Sequence, residues 1–178
     1  MNVYRTTALG LALLVGTAYY AVVFAEQRHP TKSHSAMASP QPQQVEHGRY
    51  LVKITGCNDC HTPGYAAANG NIPEQHWLTG DTLGYRGPWG TTYPINLRLY
   101  MQNLSETQWV QVAQNIQTRP PMPWFALRDM TPADLRAIYH FIRSLGPAGE
   151  PAPAYLPPEQ VPTPPYVLFQ GPVNMVGD

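Results

Sequence analysis

Charge is scarce in this 178-residue chain. Only 12% of residues are Asp, Glu, Lys or Arg, about half the usual share of a soluble domain. The 11 basic and 11 acidic residues cancel, so there is no basic excess of the kind that grips nucleic acid. Cysteine is scarcer still, with two in the whole chain. A zinc site of ordinary spacing wants a second pair of strong ligands, and no second cysteine pair exists. A thioredoxin-type pair would need a βαβ context, which the pattern does not offer. No internal repeat is visible. The length suggests one folded domain with appendages.

Proline is plentiful, at 20 residues, so part of the chain cannot be regular helix or sheet. Residues 8–25 carry no charge and follow Arg5. Eighteen helical residues rise about 27 Å, close to the hydrocarbon thickness of a bilayer. Residues 1–25 therefore read as a signal-anchor or a signal peptide cleaved after Ala25, and the length of the run favours the anchor. Both readings imply export. Residues 26–43, poor in large apolar side chains, read as a disordered linker.

Residues 44–146 read as the folded domain, and three helices are legible in it. The first spans roughly Gln43–Cys57, where Gly48 offers a point of close approach to another helix. The second starts at Ser105, with Gln108 placed for a capping box. Trp109, Val112, Ala113 and Ile116 make its stripe, and Arg119-Pro120 ends it. The third is capped by Thr131, opened by Pro132, lined by Leu135, Ile138, Tyr139 and Ile142, and ended by Gly146-Pro147. Between the first two lie residues 62–104, rich in Gly, Pro, Asn and Thr. So long a loop needs something beyond side-chain packing to organise it, and a large cofactor would serve. Residues 147–178 hold nine prolines and read as an extended arm. It either lies across the domain, reaches a partner or is a loose tail.

Cys57-Asn58-Asp59-Cys60-His61 is C-x-x-C-H, the attachment motif of haem c. Thiols three residues apart share one side of a helical turn and can add across the two vinyl groups of one porphyrin. The adjacent imidazole then faces the iron. Two cysteines fall three apart by chance about 1% of the time, and a following histidine multiplies this by about 3%, so coincidence amounts to a few parts in ten thousand.

With Gly48-Arg49-Tyr50 ahead of CNDCH, Pro121-Met122-Pro123-Trp124 in the middle and Asp134–Leu145 at the end, the chain resembles a class I monohaem cytochrome c over residues 46–145. Tyr93-Pro94-Ile95-Asn96-Leu97, followed by Trp109 and Met122, is similar to the cytochrome subunits of periplasmic membrane-bound dehydrogenases. The resemblance implies an all-α fold around one covalent haem c. It implies thioethers to Cys57 and Cys60, His61 as proximal iron ligand, and one-electron transfer between redox partners such as a dehydrogenase or a terminal oxidase complex. The location would be the periplasmic side of a bacterial inner membrane.

The sixth ligand is assigned to Met122, since Met/His ligation is the cytochrome c pattern and raises the potential. Its flanking prolines stiffen the loop. Met101 is the fallback, Met130 suits packing, and Met37 and Met175 lie outside the domain. His76 and His47 are further candidate ligands, with His47 facing water on the first helix, and His140 reads as a satisfied or solvent-facing histidine. Tyr93, Asn96, Arg98, Trp89 and Trp109 are candidates to bind the propionates or wall the pocket. An alternative is a five-coordinate haem acting as a sensor or a peroxidase-like enzyme, which requires that Met122 not ligate.

Overall fold

The computed structural model describes residues 42–170. The apolar segment at 1–25, nearly all of the linker and the last eight residues lie outside that range. Among the described residues no helix is long and apolar enough to cross a membrane.

Six helices dominate the described residues. They are α1 (Pro42–Ile54), α2 (Cys57–His61), α3 (Leu97–Gln102), α4 (Glu106–Asn115), α5 (Trp124–Asp129) and α6 (Pro132–Ser144). The all-α expectation needs one correction. Three short strands, β1 (Gly84–Gly87), β2 (Gly90–Thr92) and β3 (Tyr166–Leu168), form a sheet in the order β2-β1-β3. β1 and β2 are an antiparallel hairpin, while β3 joins β1 in parallel from the distant arm. Strands of three or four residues show too little alternation to be read as strands, and β3 lies about 80 residues beyond its partner β1.

The core lies between α1, α4 and α6. Val52, Met101, Ala113, Leu135 and Phe141 are wholly buried there. α6 buries a wider face than its predicted stripe, because Ala137 and Phe141 also turn inward. Gly48 explains this. A Cβ built on it would stand 2.0 Å from the Ala137 carbonyl oxygen and 2.8 Å from Phe141 Cβ, so α1 and α6 cross backbone to backbone.

The caps are as expected. Ser105 accepts from Gln108 N, and the Gln108 side chain accepts from Ser105 N, completing a capping box. Thr131 accepts from Asp134 N. α4 ends at Asn115, ahead of Arg119. The first helix stops at Ile54, because Gly56 takes a left-handed φ of 74° that disfavours a side chain. The chain then restarts as α2. The long loop contains α3, capped by the Asn96 side chain through Leu99 N at 3.0 Å.

Candidate haem-binding site

α2 is a single turn, and it carries the attachment motif. Cys57 and Cys60, three apart, share its face. Both are free thiols and half-buried. Burial pushes the Cys57 thiol up, against the opposing effect of Thr55 Oγ1 at 3.3 Å. The Tyr85 phenol sits against Cys60; burial and this neighbour push it well above the usual tyrosine value. The turn is fixed from beneath. Asn58 Oδ1 accepts from Thr62 Oγ1 at 2.7 Å, and Thr62 Oγ1 accepts from Leu78 N at 2.8 Å. All three residues are almost wholly buried, so the turn is bonded directly to the core.

His61 is 8% exposed. Its carbonyl accepts from Gly80 N at 2.9 Å, and its Nδ1 donates to the Ile95 carbonyl at 2.8 Å. A carbonyl only accepts, so this bond fixes the tautomer and leaves Nε2 as the nitrogen with a lone pair. Burial lowers the His61 pKa and keeps the ring neutral, which is the ligating form. Metal-bound histidines characteristically donate their other ring N–H in this way. Two free thiols on one turn and an imidazole so oriented fit a covalently held haem.

Met122 belongs to a separate element, the loop between α4 and α5, and is half-buried. Its carbonyl accepts from Trp124 N at 2.9 Å. The loop hangs from the hairpin, since Thr92 Oγ1 donates to the Pro120 carbonyl at 2.9 Å. Thr92 stands opposite Tyr85 in the β1–β2 register. The hairpin therefore holds the methionine loop and places Tyr85 near Cys60.

Among the described residues, the other methionines and two of the three other histidines make structural contacts. Met101 is wholly buried in the hydrophobic core, and Met130 packs against it. His47 binds Asp134 at 2.7 Å, and His140 binds Glu106 at 3.0 Å. His76 is exposed on a 3-10 turn, Glu74–His76.

Of the candidate propionate and wall residues, three have their donors committed elsewhere. Asn96 Nδ2 bonds the Ala148 and Glu150 carbonyls. Arg98, buried and without an acidic partner among the described residues, donates to the carbonyls of Gly146 (2.6 Å), Gln75 (2.7 Å) and Leu145. The negative end of α6 compensates its charge. Trp109 Nε1 donates to the Leu135 carbonyl at 2.7 Å and ties α4 to α6. Tyr93 faces a cleft of about 560 Å³ under the arm, with Pro153 and Leu156. Trp89 Nε1 is buried and has no partner among the described residues. The sequence singled out the run 93–97 but not the Ile95 carbonyl as its acting group, and it missed Tyr85 and Thr92, because only the hairpin brings them to the site.

The arrangement defines a small helical domain that presents two thiols and a neutral imidazole to one prosthetic group. Residues 45–146, more than half of the chain, match the family model Cytochrome c, and the chain belongs to that family. Its cofactor is covalently bound haem c, and electron transfer is the activity that membership indicates. No curated protein and no solved structure matches the chain.

Proposed function

We propose that the protein is a monohaem electron carrier on the periplasmic side of a bacterial inner membrane. Cys57 and Cys60 would hold the porphyrin through thioethers, and His61 and Met122 would ligate its iron. The observation that carries the reading is the His61–Ile95 hydrogen bond inside the CNDCH turn. It orients the one side chain of the motif that can ligate.

Bound haem supplies a one-electron ferric–ferrous couple. The polypeptide's part is to hold still around it. Ile95 fixes the His61 ring, Asn58 and Thr62 anchor the turn to Leu78, and Thr92 holds the methionine loop. Little has to move when the charge changes. A methionine ligand and a buried setting both favour a high potential. With no net charge, long-range steering of partners is weak, so docking relies on shape and apolar contact. The uncharged run at 8–25 supports export, and as an anchor it would concentrate the domain near membrane partners. A membrane-associated dehydrogenase as donor and a respiratory-chain component as acceptor fit this arrangement.

The test is spectroscopic. The pigment should survive acid–acetone extraction, and Met122→Ala should lose the iron–sulfur charge-transfer band and lower the potential. Haem that extracts freely refutes the thioethers. An unchanged band refutes Met122. Rapid stoichiometric carbon monoxide binding by the native ferrous protein would favour the five-coordinate sensor or enzyme.

A further inference from the structure

Residues 147–170 lie outside the segment that matches the family, yet they contact the hairpin and the residue that leads into the methionine loop. The arm leaves α6 under the grip of Asn96. Leu156 then pairs with Thr91 on the outer edge of β2, through bonds of 2.7 and 3.0 Å. The chain returns as β3 on the opposite edge of β1. The hairpin is thus clasped from both edges.

Two aromatic side chains of the arm reach functional elements. Phe169 packs on Tyr85 and Trp89, with ring centroids 6.1 and 5.6 Å apart. Tyr155 lies against the Arg119 guanidinium, 3.8 Å from its ring centroid, and donates its hydroxyl to the Trp89 carbonyl at 2.9 Å. Arg119 comes three residues before Met122, and the intervening Pro120 carbonyl is the one held by Thr92. The methionine loop is fastened at two successive residues, once by the arm and once by the hairpin.

We propose that the arm is a strap that keeps the methionine loop closed, with Tyr155 as a positioning residue for the sixth iron ligand. The proposal rests on the reading of Met122 as that ligand. A thioether is a weak ligand, so the loop exchanges between a closed state and an open one. A contact made only in the closed state shifts that balance by its own free energy. A cation–π contact at an exposed site changes such an equilibrium by about two- to fivefold.

The experiment is imidazole binding to the ferric, full-length holoprotein, since imidazole competes for the sixth position. Tyr155→Ala should bind imidazole about two- to fivefold more tightly than wild type, and so should Arg119→Gln, which leaves the arm intact. Tyr155→Phe, which keeps the ring against the guanidinium, should stay within about twofold of wild type. A merely structural arm would lower the melting temperature of Tyr155→Ala and leave imidazole affinity alone. That result in both Tyr155→Ala and Arg119→Gln, alongside a lost charge-transfer band in Met122→Ala, overturns the strap only. An unchanged band in Met122→Ala overturns the ligand assignment and the strap with it.

Discussion

Replacing Gly48 by alanine tests the central packing of the domain, because propensity and packing predict opposite signs. In an isolated helix the change is stabilising by about 1 kcal/mol. In the folded protein the new Cβ would stand 2.0 Å from Ala137 O and 2.5 Å from Ala137 C. The first distance is about 1.4 Å short of ordinary contact, which begins near 3.4 Å. The obstacle is backbone, so no rotamer change relieves it, and α6 must withdraw by about 1 Å or more. A radial gap of that size forfeits roughly a quarter to a half of each dispersion contact across the interface. Overpacking of this kind costs about 1–3 kcal/mol, and a rigid backbone obstacle belongs at the upper end. The net expectation is a loss of about 2 kcal/mol, or roughly 6–10 °C in melting temperature for a domain of this size. Urea unfolding of the holoprotein, followed by circular dichroism and by haem absorbance, measures it. Gln43→Ala, at an exposed position on the same helix, should move stability by less than about 0.5 kcal/mol. A Gly48→Ala protein as stable as wild type would refute the close crossing of α1 and α6.

Arg98 gives a second test. Arg98→Ala leaves three carbonyls without their donor, and a loss of about 2–4 kcal/mol in the same unfolding assay is expected. Arg98→Lys should recover less than half of it, since one ammonium cannot reproduce the planar fork. The Asp134 pKa is held below the ordinary value of 3.8, first by His47 and then by Thr131. A depressed carboxylate favours folding above its unfolded pKa and loses that contribution as pH falls through the folded value. Stability should therefore drop as pH falls below about 4, and Asp134→Asn should flatten that part of the profile by about 0.5–1 kcal/mol. An unchanged acid limb in Asp134→Asn would exclude this carboxylate as a contributor. Cys57→Ala and Cys60→Ala should each leave haem held by a single thioether, seen as a red shift of the reduced absorption bands; a doubly linked spectrum in either would remove that cysteine from the attachment.

Much of the domain was legible because its signals are local. The CNDCH motif, the Ser105 and Thr131 caps and the apolar stripe of α6 each involve residues within one or two helical turns; on α4 the expected stripe omitted Val110, which is buried, while Val112 and Ile116 are half-buried. Gly48 was legible as a point of close approach, though the partner helix was not. The sheet escaped notice because β1 and β3 lie far apart in sequence and are too short to show a period. The long loop was read as needing something beyond side-chain packing, yet the polypeptide itself supplies part of that organisation, through Arg98, Asn96 and the arm. Asn96 and Arg98 illustrate how polar residues near a cofactor motif can be fully used by backbone carbonyls.

By itself, the sequence determined the chemistry of attachment, since two thiols and an imidazole at that spacing are a property of one helical turn. It also determined where α4 and α6 begin, since N-capping acts over three residues. Only the tertiary structure decided which nitrogen of His61 is left to ligate, because the deciding acceptor is the carbonyl of Ile95, 34 residues away. It alone showed the arm reaching the methionine loop. A backbone carbonyl and a cross-strand neighbour leave no mark in the order of side chains, and they become partners only once the chain has folded.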